Sequence, residues 1–323
     1  MNITNSLQAP SSRQATLSRI AQSQPGCVPY VNERWINVPE RYAGWRLLEF
    51  LNTWNPSRGN DQWLAWLRAG NITYQGHSLE EHYHVKSGQQ LLHTLPNTSE
   101  PAVASDLRLI YEDRELIIID KPAPLPSHPS GRFNRNTLLY FVQLTYSNES
   151  LYLPHRLDAN TSGLMILCRS KHSAQHVQAQ FSTGKIQKSY FAKIIGQPCD
   201  DNFTCNTPIQ RKPLACGARG VDPLGLPSET RFQVIRRSRE GHCLVRANPK
   251  SGRTNQIRIH LWHMGFPIVG DPLYLPAKKI GFQQTLTIDS APMLLHAAEL
   301  QFQHPSSGDW MSFSCSRNWS DPS

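Results

Sequence analysis

The sequence has 323 residues and a hydrophobic fraction of 39%, enough for one large catalytic domain and a small accessory one. It holds no apolar run approaching the roughly 20 residues that cross a bilayer, and no short apolar core of a secretory signal, so we expect no membrane anchor. The 33 Lys and Arg exceed the 24 Asp and Glu, giving a formal net charge of +9. Such a charge attracts polyanions by counterion release, which makes nucleic acid the leading class of partner.

The seven cysteines are scattered along the chain, odd in number and without a C-x-x-C pair. Disulfide frameworks and structural zinc sites need closely spaced cysteines. We therefore expect a reducing compartment, the cytoplasm, and no structural metal. His260 and His263 lie three positions apart and could share a metal ion on a helix, but packing or RNA contact is the better interpretation.

The N-terminal third of the chain predicts a tail followed by a small domain. Residues 1–40 show no clear apolar period, and we expect a tail there. Apolar residues then recur at helical spacing until Pro56, and again from Trp63 to Gly70, which predicts two amphipathic helices. Short strand patterns after Gly70 predict a β-hairpin. We expect residues 41–95 to form one small domain of two helices and a hairpin.

Residues 96–105 have the composition of a linker, and we place the main domain after it, at 106–323. In that domain, short runs rich in β-branched residues alternate with turns, and only a few helices interrupt them. These runs are Leu107–Tyr111, Leu116–Asp120, Leu164–Cys168, Tyr190–Ile195, Thr230–Ile235 and Cys243–Ala247. The pattern predicts an α+β fold with a mixed, largely antiparallel β-sheet.

Residues 199–228 look like a loop insertion in this domain. They contain the cations Arg211, Lys212 and Arg219. A long basic loop can be a mobile segment that faces the substrate, and it can equally be a surface loop without a function.

A first polar stretch that could carry chemistry runs from His155 to Gly163. It places the carboxylate of Asp158 two positions from the cation of Arg156, just before an apolar strand pattern. Catalytic groups are often held on such loops at the mouth of a buried strand. The same residues can also form an Asx-type turn with an exposed ion pair, and the loop by itself favours this second interpretation.

A second polar stretch, from Asn248 to Leu261, is a basic turn that leads into a predicted helix. We expect Thr254 to be the helix N-cap and Ile257 to lie on the buried face. Arg258 follows at the rim of that face. A partly buried guanidinium there needs a carboxylate partner.

With these stretches in view, the chain resembles the RluA-type pseudouridine synthases from Leu107 to Pro305. The matching segments, in the family's order, are Glu112-Asp113, Asp120-Lys121-Pro122, Pro126-Ser127-His128-Pro129, His155 to Leu164, Lys188-Ser189-Tyr190 with Ala192, Gly252 to Leu261, Gly270-Asp271-Pro272 with Tyr274, and Leu295-His296-Ala297 with His304-Pro305. The extended H-R-L-D-x-x-T-S-G-L motif is the most specific of them. The resemblance implies the pseudouridine synthase fold and an isomerase that converts uridine to pseudouridine in structured RNA, without cofactor or metal.

The resemblance also implies roles for particular residues. Asp158 matches the catalytic aspartate, Tyr190 the ring that stacks on the target base, and Arg258 the cation that pairs with the aspartate. Arg156 matches the side chain that fills the space of the flipped nucleotide. The other candidates for RNA binding in this domain are His155, Thr161, Lys188, Lys250, Arg253, Asn255 and Gln256. Asn255 stands where many relatives have His, behind the reacting groups.

Residues 41–95 resemble an S4-type RNA-binding module, although Leu48 replaces the usual Asp. The resemblance makes Arg46 and Arg58 candidates for RNA contact. It favours ribosomal RNA of the large-subunit, 23S type as substrate, with transfer RNA as the alternative. We also expect the protein to act as a monomer. The rival from another class is a catalytically silent RNA-binding or ribosome-assembly factor, and the enzymatic rival is an RNA N-glycosidase.

The chemistry that the resemblance implies needs an ionised Asp158. Breaking the N1–C1′ bond builds positive charge on the sugar, which a nearby carboxylate stabilises. Pairing with Arg258 would keep that carboxylate charged in a dry pocket. Three roles stay open at this point: attack on C1′, attack on C6 of the base, and removal of a 2′ proton.

Overall fold

The computed structural model describes residues 12–214 and 217–317. The helices are α1 Ser12–Gln22, α2 Leu47–Trp54, α3 Asn60–Arg68, α4 Leu138–Thr145, α5 Lys171–Ser182 and α6 Gln256–His263. The strands are β1 Tyr30–Asn37, β2 Ile72–Tyr74, β3 His77–Ser78, β4 Gln90–Thr98, β5 Arg108–Glu112, β6 Leu116–Lys121, β7 Ser162–Cys168, β8 Gln187–Ile195, β9 Asn202–Cys205, β10 Thr230–Arg237, β11 His242–Pro249, β12 Tyr274–Leu275, β13 Lys279–Ile280, β14 Leu295–Gln303 and β15 Trp310–Ser314. None of the described helices is long and apolar enough to cross a membrane.

The described residues form two compact units. Residues 26–100 make the smaller unit, and the described residues on both sides of it make the larger one. The smaller unit is therefore an insertion in the sequence of the larger. Its boundaries differ from the predicted domain at 41–95 and linker at 96–105, because strand β1 precedes the predicted start and strand β4 runs through Thr98.

The smaller unit packs two helices against an antiparallel sheet of strand order β1-β4-β2-β3. Leu47 and Leu51 of α2 and Trp63 of α3 are buried against Ile72 and Leu91 of the sheet. The two predicted helices are present. The predicted strands at Ile72 and through Leu91 are also present, as β2 and β4. The prediction of a hairpin alone was wrong, since β1 pairs with β4 and extends the sheet. In β1 buried and exposed residues alternate, but the polar Asn32 lies on the buried face and the apolar Val31 and Trp35 on the exposed face, which hid the strand in the sequence.

The tail prediction was also wrong for helix α1, which belongs to the larger unit. Leu17 and Ala21 are buried in a core that includes Phe141 of α4, and the Arg13 guanidinium donates a hydrogen bond of 3.0 Å to the carbonyl of Thr145. Only two side chains of α1 are fully buried, so the sequence shows no apolar period there. The first eleven residues of the predicted tail lie outside the described residues.

The larger unit is built on a nine-stranded sheet of order β5-β6-β7-β14-β8-β11-β10-β9, with β15 paired to β14. Among its paired strands only β7 and β14 run parallel. This confirms the predicted α+β fold with a mixed, largely antiparallel sheet. The six predicted strands are all present, each with ends that differ by a few residues.

The segment 199–228 is more structured than predicted. It contains β9, which pairs with β10, and Ile209 bridges both Val221 and Leu226. The Arg219 guanidinium donates to the carbonyls of Gln210, at 3.0 Å, and Arg211. The alternation of one apolar residue with several polar ones concealed these pairings in the sequence.

Glycine at position 163 fixes the distance between β7 and β14. Its φ is +114°, and a Cβ added there would lie 2.2 Å from the carbonyl oxygen of Ala297. A strand that starts with this close approach has to carry glycine at that point. Since β7 begins at Ser162, the contact also fixes where the polar loop before it ends.

Candidate active site

The loop that carries Asp158 is tied down on several sides. The Ser127 hydroxyl donates to the carbonyl of Leu157 at 2.7 Å, and the N–H of Leu125 donates to the carbonyl of Ala159 at 2.8 Å. The N–H of Thr161 donates to the Asp158 carbonyl at 3.0 Å and closes the turn. Hydrogen bonds to its backbone thus fix the loop, and none of these three involves the Asp158 carboxylate.

Asn160 anchors the same loop to a distant segment. Its amide group donates to the Gln284 carbonyl at 2.8 Å, and its amide oxygen accepts from the N–H of Leu286 at 2.9 Å. Beneath the loop, the buried Lys121 ammonium donates to the carbonyls of Leu125, at 2.7 Å, and Ala159, at 3.4 Å. Burial lowers the pKa of Lys121 to about 7, against the opposing attraction of Asp158. Sequence patterns carried no sign of these long-range contacts.

Arg258 pairs with Asp158, as predicted. Its Nη1 lies 3.2 Å from Asp158 Oδ2. The Asp158 side chain is 34% exposed and the Arg258 side chain only 4%. Arg258 is therefore fully buried, and the prediction that it lies at the rim of the helix face was wrong. A cation at that depth needs more than one anionic or polar partner.

The missing partner is Asp271, which the sequence analysis did not assign. Its two carboxylate oxygens accept from Arg258 Nε and Nη2, both at 2.7 Å. Asn255 Oδ1 accepts from Arg258 Nη1 at 3.0 Å, and the Tyr274 ring lies 5.1 Å from the guanidinium carbon. These interactions hold the pKa of Arg258 above its usual value despite its burial. The rule that a buried guanidinium needs full pairing, applied to Gly270-Asp271-Pro272, was the signal that could have found it.

The start of helix α6 differs from the prediction. Asn255, not Thr254, precedes the helix, and it adopts the left-handed conformation with φ 58°. Asn tolerates that conformation better than most residues, which suits it to this position. Its side chain turns away from the helix amides to Arg258 and to the Tyr274 hydroxyl.

A pocket of about 440 Å³ lies beside Asp158. Its lining includes Asp158, Tyr190 and Arg258, together with Arg156, Lys188 and Leu295. Tyr190 is half-buried on β8, and both burial and the charge of Asp158 raise the pKa of its phenol. The structure thus brings the three residues predicted for catalysis to one pocket, whose volume lies within the ~300–1,000 Å³ of typical ligand sites.

Basic side chains surround the mouth of the pocket. Lys188 Nζ donates to the Ser251 carbonyl at 3.0 Å, and burial lowers the pKa of Lys188 to about 8. Lys250 is exposed and paired with Glu229 at 2.7 Å, and Arg253 is exposed with its Nε on the Pro227 carbonyl at 3.2 Å. Arg156 is exposed at the rim. All four cations line the pocket and make its surroundings basic.

Three of the predicted RNA-binding residues use their polar groups inside the protein. His155 Nε2 accepts from the N–H of Ile166 at 3.0 Å, and its ring stacks on Phe181. Gln256 is buried, and its amide is bonded to Ser251, Glu229 and Thr230. Thr161 is buried and contributes its N–H to the loop. These contacts support the loop and the start of helix α6. All three residues also line the pocket, so their assignment to RNA contact stays a prediction.

One group of side chains has the composition of a metal site. The ligand atoms of Asp120, His296 and Cys315 lie within 4.8 Å of one another. The carboxylate of Asp120 is paired with Arg108, and His296 Nδ1 lies 2.9 Å from the Ser162 hydroxyl. A guanidinium already neutralises the carboxylate and opposes a cation there, so the donor set does not fit a metal ion.

In the smaller unit, the predicted RNA-binding residues are both exposed. Arg46 precedes helix α2, and the Arg58 guanidinium lies over the Trp66 ring, 5.8 Å from its centroid. Both side chains are therefore accessible to a ligand of this unit.

An ion-paired aspartate on a loop beside a basic pocket is the arrangement expected of an enzyme that acts on a polyanion. The family profile described as RNA pseudouridylate synthase matches residues 115–263, which include the Asp158 loop and helix α6. The ribosomal large subunit pseudouridine synthase C of Vibrio parahaemolyticus is 30% identical over 291 residues, covering 86% of this chain and 91% of its own. The chain therefore belongs to the RluA-type pseudouridine synthase family, as the sequence predicted.

Other similarities agree with this family. RNA pseudouridine synthase 7 of Oryza sativa subsp. japonica is 29% identical over 255 residues, covering 76% of this chain. The chain spans only 64% of that rice protein. The solved structure of human RNA pseudouridylate synthase domain containing 4 has a TM-score of 0.53 and 25% identity, and covers 65% of this chain and 88% of its own.

Proposed function

We propose that this protein is an RNA pseudouridine synthase in which Asp158 is the catalytic carboxylate. The observation that carries the proposal is the contact of 3.2 Å between Asp158 and the buried Arg258, at the edge of a pocket of about 440 Å³. The pair holds the Asp158 carboxylate beside a buried cation at the pocket, and the 34% exposure of its side chain lets a substrate reach it. Enzymes place groups of this kind where positive charge develops in the transition state.

Uridine in a structured RNA has to leave the base stack before it can enter the pocket. Extrusion of a nucleotide costs a few kcal/mol. In the proposed reaction Arg156 fills the gap in the stack and the Tyr190 ring stacks on the extruded base. The exposure of Arg156, the partial burial of Tyr190 and the position of both in the pocket lining support these roles. Stacking on an aromatic ring is worth about 1–3 kcal/mol per base, which offsets much of the cost.

The reaction breaks the N1–C1′ bond of uridine and forms a C5–C1′ bond. The proton on C5 is lost and N1 gains a proton, so the product has the composition of the substrate and no cofactor is consumed. Asp158 supplies the negative charge that the sugar needs while the bond breaks. The raised pKa of Tyr190 keeps its phenol protonated, which suits a stacking ring better than a base.

We infer that ribosomal RNA is a better substrate than transfer RNA. The supporting points are the S4-like resemblance of the smaller unit, the exposed Arg46 and Arg58, and the relative from Vibrio parahaemolyticus whose name specifies the large ribosomal subunit. Scattered cysteines support a cytoplasmic location. The proposal includes a monomer that needs neither metal nor cofactor.

The proposal is tested by incubating the purified protein with ribosomal and transfer RNA from a strain that lacks it, then mapping pseudouridine and measuring free uracil. We expect new pseudouridine at defined uridines of large-subunit RNA and no released uracil. Free uracil in place of pseudouridine would identify an N-glycosidase. Tight RNA binding without either product would identify a silent assembly factor.

Lys188 gives the proposal a pH signature. Because burial lowers its pKa to about 8, the ammonium is charged at pH 7 and largely neutral at pH 9.5. We expect RNA affinity to fall as pH rises through about 8. The slope of log Kd against log salt should also decrease by about one, because one contact with a phosphate is lost. Fluorescence anisotropy with one RNA at several pH values and salt concentrations measures both.

The matched variant for this test is Lys188→Arg, which stays charged over the whole range. It should bind RNA with little change between pH 7 and pH 9.5. If the wild type and the arginine variant lost affinity in parallel, Lys188 would not contact the RNA backbone.

A further inference from the structure

Arg258 divides its hydrogen bonds unequally between two carboxylates. Asp271 receives two of them, from Nε and Nη2, each at 2.7 Å. Asp158 receives one, from Nη1, at 3.2 Å. Arg258 therefore makes its bidentate pair, through Nε and Nη2, with Asp271. The Asp158 carboxylate has only a single, longer contact with the guanidinium.

Asp271 is itself held rigidly. Its side chain is 1% exposed, and Oδ1 also accepts from the N–H groups of Leu273 and Tyr274, at 2.9 and 3.0 Å. A carboxylate bound at this many points cannot follow the guanidinium if the latter moves. Asp271 thus defines where Arg258 lies, and the Tyr274 ring beside the guanidinium supports the same position.

The charged groups around Asp158 explain why the unequal sharing of Arg258 between Asp271 and Asp158 matters for the reaction. The groups that face it are the guanidinium of Arg258, the ammonium of Lys121 under the loop and the neutral phenol of Tyr190. Without a second carboxylate, Arg258 would have Asp158 as its only anionic partner. A bidentate pair between them would then draw the Asp158 oxygens away from the substrate.

We propose that Asp271 is a positioning residue of the reaction, which keeps Arg258 from forming a bidentate pair with Asp158 and so leaves one carboxylate oxygen directed to the substrate. The inference rests on the proposed role of Asp158. Asp271 is too deeply buried to touch the RNA, and its link to Asp158 runs through the two hydrogen bonds that it accepts from Arg258.

The test is Asp271→Asn, which keeps the shape and the acceptor for the two backbone N–H groups but removes the charge. We expect kcat for pseudouridine formation to fall about 10- to 100-fold, the range typical when a partner behind a reacting group is lost. The KM and the Kd for RNA should change less than twofold, because no group that contacts RNA is altered. Single-turnover assays and anisotropy give the two quantities.

The matched control is Asp113→Asn. Asp113 builds the same kind of turn, with Oδ1 accepting from the N–H groups of Glu115 and Leu116 at 2.7 and 2.8 Å, but it does not contact Arg258 or line the pocket. We expect its kcat to stay within twofold of wild type. An equal loss of kcat in both variants would mean that only the stability of the fold is being measured, and would overturn the proposal.

A second comparison covers the case in which Asp271→Asn fails to fold. In an Arg258→Met background, the added Asp271→Asn change should leave kcat unaltered, since the link from Asp271 to Asp158 runs through Arg258. This double variant also avoids an unpaired buried charge. A further tenfold loss in that background would overturn the proposal, whereas an inactive wild type would refute the proposed function instead.

Discussion

Replacing Asp158 by asparagine is expected to abolish pseudouridine formation while RNA binding survives within about tenfold, a change of at most ~1.4 kcal/mol. The amide has nearly the same shape and can still accept from Arg258 Nη1, but it carries no negative charge for the sugar at the moment the glycosidic bond breaks. The loop should stay in place, because its anchors are backbone groups and the side chains of Ser127 and Asn160. Pseudouridine yield and RNA affinity, measured on the same preparation, check the result.

A suitable control is Asp309→Asn, which removes one negative charge from an exposed turn between β14 and β15. It should leave both activity and RNA affinity unchanged. If the Asp158 variant still made pseudouridine at a substantial fraction of the normal rate, the assignment of the catalytic carboxylate would be wrong.

The second large effect is expected from Gly163→Ala, which should destabilise the larger unit by about 3 kcal/mol or more, through strain at positive φ and overpacking against β14. The new methyl carbon would lie 2.2 Å from the Ala297 carbonyl oxygen, and both are backbone positions that cannot turn aside. We expect the melting temperature to fall by roughly 10 °C. Thermal unfolding followed by circular dichroism is the measurement.

Gly241→Ala measures the strain at positive φ without the overpacking against a neighbouring strand. Gly241 also has positive φ, +80°, but a Cβ there would meet nothing within 4 Å. This variant should lose only about 1 kcal/mol, the cost of the left-handed backbone conformation. Equal losses in the two variants would mean that the close approach of β7 and β14 contributes nothing.

The strands could be predicted because each lies within one short segment. The pairing of Asp158 with Arg258 could be predicted because two motifs of the chain resemble those of one family. The predicted strands of the larger unit lie in short runs rich in apolar residues, and in β6 and β7 every residue of the run is buried. The loop motif of Asp158 and the helix motif of Arg258 were legible through that resemblance, and the structure places them 3.2 Å apart.

The rest depends on contacts between distant segments. Asp271 lies in a turn with no apolar period, and its importance follows only from the depth at which Arg258 is buried. Gln256 resembled a polar residue free for RNA until the structure showed both ends of its amide bonded inside the protein. Helix α1 contributes two buried side chains, and its partner helix α4 begins more than a hundred residues later.

That separation of α1 from α4 has a consequence for how the protein is made. During translation the α1 segment leaves the ribosome before any of the chain that buries Leu17 exists. At about 5–20 residues per second, several seconds pass before α4 follows. In that interval the sequence of residues 26–100 is completed, with a core of its own. Burial of Leu17 therefore needs a long-range closure, in which helix α1 joins a core that reaches to Ala297 of β14. We expect mutations that expose Leu17 to lower the yield of folded protein in the cell more than they lower its stability in the test tube.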